Sequence, residues 1–204
     1  MKIFAYEGKF WQFLNTVTDL VWLNILFIIT SIPIFTVGAG MSALHYMCIK
    51  MWRGEDEGIT KGYFAAFRAN FGKGTALWLI MLFIDIVIIA DLYFYFTGAI
   101  QLPGVLMVVI MMFAIIYVMA TVMVFPFQAQ FENTILNTFK NSALYTLSKL
   151  PKVLGMIIVQ ALPFAATYFY VQIAPVLLFF SFSVPAYTAV ILYDRDFKEI
   201  GGIE

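Results

Sequence analysis

Residues 105–125 read VLMVVIMMFAIIYVMATVMVF, an apolar run without one charged side chain. A helix needs about 20 mostly apolar residues to cross a bilayer. Only helices and closed barrels satisfy their own backbone hydrogen bonds there. The run is continuous and does not alternate, so it predicts a spanning helix and excludes a barrel strand. Working outward, residues 77–97, 153–171 and 173–193 are of the same kind, and 173–193 is again free of charge. Residues 20–37 form a further apolar stretch, holding Asn24 and Pro33. Residues 39–52 are shorter and mixed, carrying His45 and Lys50 and followed at once by Arg53. The expected fold is all-α: one integral membrane domain over 1–204, a transmembrane bundle of about six spans with the second short.

Composition agrees. Of 204 residues, 63% are hydrophobic and 12% charged, and the mean hydropathy is +0.91. Soluble domains carry about 25% charged residues, so a water-soluble fold, a disordered chain and a disulfide-rich secreted domain are excluded. Twelve basic and twelve acidic residues cancel, which points to no nucleic-acid partner. Cys48 is the single cysteine and His45 the single histidine, so no internal disulfide and no metal-ligand spacing is expected. No GxSxG, HExxH or P-loop pattern occurs, so neither an enzyme nor a cofactor is expected.

Basic residues accumulate in cytoplasmic loops, and this sets the orientation. Lys2 and Lys9 precede the first span, and Lys50, Arg53, Lys61, Arg68 and Lys73 lie around the second and before the third. Lys140, Lys149 and Lys152 fall between the fourth and fifth, and Arg195 and Lys198 follow the last. If 39–52 crosses, kinked or tilted at Gly38–Gly40, every basic residue and both termini are cytoplasmic. If it is re-entrant, the N-terminal lysines face outward. The apolar core of the first stretch is longer than that of a cleaved signal, so an uncleaved first span is expected.

Three stretches have the spacing of amphipathic helices on the cytoplasmic face. The first holds Phe10, Phe13, Leu14 and Val17 beside Trp11. The second places Tyr63, Phe64, Phe67 and Phe71 on one face, with Lys61, Arg68 and Asn70 elsewhere. The third sets a stripe of Leu136, Phe139, Ala143, Leu147 and Leu150 against Asn133, Asn137, Lys140, Asn141 and Ser148. Such helices either lie in the headgroup layer or dock another subunit. Arg68, Asn70, Phe71 and Lys140 are the candidate docking face. The acidic run Glu55-Asp56-Glu57 reads as a solvated loop, because a calcium site needs more oxygen ligands.

Ionisable and polar groups inside spans are functional candidates because they are expensive in lipid. Asp85 lies near the middle of its span and Asp91 nearer the outer end, six positions on, so they do not share a helix face. Asn24 and Gln160 can join helices by hydrogen bonds, His45 is a packing or ligand-binding candidate, and Asp19 reads as a helix cap. Prolines at Pro33, Pro126, Pro163 and Pro185 predict bends.

Leu23-Asn24-Ile25-Leu26, then Ser31-Ile32-Pro33-Ile34-Phe35-Thr36-Val37-Gly38-Ala39 and Ala43-Leu44, resemble the opening of the YesL-like family of bacterial membrane proteins. Trp52-Arg53-Gly54-Glu55-Asp56 and Phe64-Ala65-Ala66-Phe67-Arg68-Ala69-Asn70-Phe71 extend that resemblance. It implies a bacterial cytoplasmic membrane protein associated with carbohydrate ABC importers, an accessory subunit whose partners are permease subunits. A second likeness is to the loop by which such permeases dock their ATPase. Glu132 precedes Leu150-Pro151 at similar spacing, but Asn133 and Thr134 replace its alanines and Thr138 its glycine. Without that glycine the segment should run as one continuous amphipathic helix. Two functions are therefore expected: an accessory subunit of sugar import, or a self-contained channel or secondary transporter with Asp85 as coupling site.

Overall fold

The structure, a computed structural model, describes residues 9–55, 58–98 and 103–202. Lys2, Asp56, Glu57 and the connection at 99–102 lie outside the described residues. Among the described residues eight α-helices run in chain order: α1 Lys9–Ser31, α2 Val37–Arg53, α3 Ile59–Phe96, α4 Gly104–Gln130, α5 Ile135–Ser148, α6 Leu150–Phe169, α7 Ala174–Leu177 and α8 Ser183–Gly201. Short 3-10 turns at Ile34–Thr36 and Val171–Ile173 lead into α2 and α7. No strand occurs among the described residues.

Among the described residues four helices are long and apolar enough to cross a membrane: α1 from Phe10, α3, α4 and α6. This is an all-helical membrane protein. The outermost large side chains of α3 and α4, such as Phe83, Ile89, Val105, Phe113 and Ile115, are apolar and exposed. That is the pattern of a surface whose solvent is hydrocarbon.

The other two expected spans differ from the sequence reading. The second is α2, a helix of 17 residues with most of its length buried in the bundle. It is not kinked at Gly38–Gly40. The break lies before it, where Pro33 cannot donate a helical hydrogen bond and the chain turns through Ile34–Thr36. The glycines serve close packing instead. A Cβ on Gly38 would stand 2.1 Å from the Gly74 carbonyl oxygen and 2.6 Å from Trp78 Cβ, and one on Gly74 would stand 3.0 Å from Ala39 Cα. Small residues let the two backbones of α2 and α3 approach. Gly62 meets Met47 further along, so the pair is an antiparallel hairpin, closed at its far end by left-handed Gly54.

The stretch 173–193 is not one helix. It divides into α7, a run of turns at 178–182 and α8. Pro185 has no N–H for the Ser181 carbonyl, which interrupts the helical ladder at that level. The expected amphipathic helices also differ: the stretch of Phe10, Phe13, Leu14 and Val17 is the first part of α1 and not a helix of its own. The segment around Tyr63–Phe71 is no separate interfacial helix but the first part of α3, which continues unbroken to Phe96. Helix α5 is separate and continuous as expected, with Thr134 as its N-cap, but its buried face is neither of the two expected stripes. Its buried residues are Thr138, Ser142, Tyr145 and Thr146, while Leu136 is 77% exposed and Leu144 and Leu147 also face outward. Asn137, Lys140 and Ser148 of the expected polar stripe are exposed as well.

The core joins α1, α2, the first half of α3 and the end of α4 to α6 and α8. Leu23, Leu44, Met47, Tyr63, Met123, Met156, Val190 and Tyr193 meet there. Phe127, Tyr145, Tyr193 and Phe197 add a cluster of tilted and edge-on rings, with Phe127 and Phe197 4.8 Å apart. Such ring pairs add to the burial of their area.

Candidate functional site

Asn24, on α1, is fully buried. Its Nδ2 donates to the Leu178 carbonyl at 2.7 Å. Its Oδ1 accepts from the backbone N–H groups of Phe182 and Ser183, each at 3.0 Å. One side chain thus closes both ends of the gap between α7 and α8. Non-helical backbone at membrane depth persists only where protein satisfies it, and here Asn24 does so.

A second polar constellation gathers where α2 and α8 end and α6 begins. Arg53 Nε donates to Asp194 Oδ1 at 2.8 Å, with both side chains only 8% exposed. Lys198 Nζ lies 3.7 Å from the other Asp194 oxygen. Asp196, two residues on along α8, accepts from the Tyr145 hydroxyl at 2.7 Å and from Lys152 at 2.5 Å, with Lys149 at 3.4 Å. These contacts tie α2, α5, α6 and α8 at one end of the bundle. Sequence reading missed both aspartates. The available signal was their position: two acids just beyond a long apolar run, in a chain whose other loops offer unpaired cations.

Burial acts to raise the Asp196 carboxyl, but the bonds from Lys152 and Tyr145 outweigh it and hold the group below its ordinary value. A carboxylate depressed in the folded state contributes stability above its unfolded pKa, about 3.9. It loses that contribution as pH falls through the folded value. Asp196→Asn is therefore expected to lower the thermal midpoint at neutral pH and to match the parent protein in acid. A difference that stays constant across that range would remove the carboxylate's charge from the account.

The third feature is a groove of about 890 Å³ between α3, the end of α2 and the end of α4. Its floor is the face of α3 that carries Gly62, Ala65, Ala69 and Gly72, and Lys61 and Lys73 stand on its rim. Glu55 and Glu132 also line it, and Glu55 is engaged by Lys50 at 2.8 Å. Asn70 and Gln128 join its two walls through a 2.9 Å hydrogen bond from Gln128 Nε2 to Asn70 Oδ1. Gly72 stands out. A glycine inside a helix costs about 0.8–1.0 kcal/mol relative to alanine, and Gly38, Gly62 and Gly74 each repay it in contact with a neighbour. Around Gly72 there is nothing within 4 Å of a built Cβ.

The sequence-predicted candidates separate into three groups. Asn70 lines the groove, and Arg68 and Phe71 are exposed on the same helix. Lys140 is exposed on α5, and among the described residues no ion pair or side-chain hydrogen bond joins it to them. Asp85 is half-buried between α3 and α4, beside Tyr117, whose hydroxyl donates to the Met81 carbonyl at 3.0 Å. His45 is buried, with Nδ1 3.4 Å from the Tyr193 hydroxyl. No cluster of His, Cys, Asp and Glu among the described residues has the geometry to hold a metal ion.

Residues 20–92 match the model of a family described as "Protein of unknown function, DUF624". The similarity covers α2, most of α1 and nearly all of α3, the elements that build the hairpin and the groove floor. No curated protein and no solved structure matches the chain significantly.

Proposed function

We propose that the protein is a non-catalytic accessory subunit of a bacterial carbohydrate ABC import system. It is held in the cytoplasmic membrane with both termini inside, and it binds permease subunits to assist or regulate sugar uptake. The likeness of its first seventy residues to YesL-like proteins supports the transport setting. One structural observation carries the docking role. The polar constellations around Asn24, Asp194 and Asp196 are spent on internal contacts, whereas Lys61 and Lys73 on the groove, and Arg68, exposed on the same helix, have no ion-pair partner among the described residues.

A conduction route through Asp85 has less support. The polar group beside it is Tyr117, whose hydroxyl donates to the Met81 carbonyl, and residues 82–90 around Asp85 hold no other polar side chain.

Permease subunits are expected to co-purify with the tagged protein from native membranes, identified by mass spectrometry. Arg68→Glu or Lys140→Glu is expected to reduce their recovery while leaving the thermal midpoint of the purified protein unchanged, as suits exposed charges. Recovery of the wild-type chain without permease subunits would overturn the role.

A further inference from the structure

We infer that the groove on α3 receives an acidic helix from a partner membrane protein, packed at close range against Ala65, Ala69 and Gly72. This rests on the docking role proposed above and names the chemistry of the partner. Three observations converge.

The first is spacing. Beyond Gly62, which Met47 covers, Ala65, Ala69 and Gly72 recur at intervals of four and three, the alternation by which one helix presents a straight seam to another. Small residues at such a seam allow backbones to approach closely. From Ala65 to Gly72 the seam runs about 10 Å, close to two helical turns.

The second is Gly72. Its missing side chain is matched by no atom of this chain, whereas the glycines at the crossing of α2 and α3 are each filled by a neighbour. An occupant from outside supplies what the chain itself does not.

The third is charge. Lys61 and Arg68 are seven residues apart and flank the seam on one side, and Lys73 flanks it on the other. These are the positions that choose a partner helix by charge. The Lys50–Glu55 pair cancels, leaving Lys61 and Lys73 against Glu132 among the described groove residues, with Arg68 exposed beside them on α3. A helix with carboxylates beside a seam of small residues complements this surface; a basic helix does not.

The test uses the full-length protein in nanodiscs of zwitterionic lipid and a fluorescent three-heptad peptide with alanine at its seam and glutamate at the flanking positions. A control peptide carries lysine at those positions. The glutamate peptide is expected to bind saturably and the lysine peptide not to bind. Lys61→Glu with Lys73→Glu is expected to invert that preference. Gly72→Leu is expected to weaken the glutamate peptide about tenfold or more without lowering the thermal midpoint, since the added side chain enters open space.

Equal binding of both peptides, or binding of the glutamate peptide that survives Gly72→Leu, would overturn the inference. So would displacement of the peptide by phosphatidylglycerol in Gly72→Leu nanodiscs as in wild-type ones, which would make the groove a lipid headgroup site. The two readings fail separately. Permease subunits that co-purify undiminished with Gly72→Leu would sink the groove as docking site and leave the accessory role. Their absence from wild-type preparations would sink the role whatever the peptide does.

Discussion

Asn24→Leu is expected to be among the most damaging single substitutions in this chain. The replacement keeps roughly the volume of the side chain but leaves the Leu178 carbonyl and the N–H groups of Phe182 and Ser183 without their partner. A buried polar group left unsatisfied costs about 1–3 kcal/mol, so three of them amount to a loss on the order of 3 kcal/mol or more. Leucine also gains apolar contact, which offsets a part. Asn24→Asp separates the contributions: it retains an acceptor for the two N–H groups and loses the donor to Leu178. The expected order of stability is wild type, then Asp, then Leu, read as thermal midpoints of the purified protein in one detergent. Equal midpoints for wild type and Leu would show that the break between α7 and α8 is closed by other means.

That residue also marks the limit of what hydropathy can reveal. The helical class and the runs at 77–97, 105–125 and 153–171 were plain in the sequence, because each is apolar over a bilayer's thickness and needs no distant partner to form. The interruption of 173–193 was not. Its cause is partly local, in Pro185, but the bonds that hold it open come from Asn24, more than 150 positions away. Asn24 itself was visible as a polar group in an apolar stretch; which backbone it would serve was not.

The buried face of α5 is a further case. No residue of the leucine stripe or of the stripe Asn133, Asn137, Lys140, Asn141 and Ser148 is buried. The face that is buried lies between them, where Thr138, Ser142 and Tyr145 find their bonds within the protein. The groove was half legible. Attention to Tyr63, Phe64, Phe67 and Phe71 picked out the aromatic face of α3 and passed over the small residues at 62, 65, 69 and 72. Their regular interval was there to be read, but a seam of small residues becomes meaningful only once the fold shows which of them are already covered.

The tie between Arg53 and Asp194 carries the other large expected effect, and the two partners should not respond alike. Both side chains are almost wholly buried, and breaking such a pair by deleting one member costs about 3–5 kcal/mol, because the survivor is left charged and uncompensated. Asp194→Ala meets that condition. Arg53 then has no buried acid in contact, and Glu55, the acid nearest in sequence, is exposed and held by Lys50. Arg53→Ala is milder, because Lys198 remains 3.7 Å from Asp194 and can close on it. The joint replacement Arg53→Met with Asp194→Leu removes both charges and fills the space, and such exchanges are often neutral. The expected ranking of thermal midpoints is therefore the parent and the apolar pair together, Arg53→Ala below them, and Asp194→Ala lowest. A double-mutant cycle over the two alanine substitutions gives the coupling directly. Were Arg53→Ala to prove as damaging as Asp194→Ala, Lys198 would be no reserve partner, and the end of α8 would be held to α2 by the guanidinium alone.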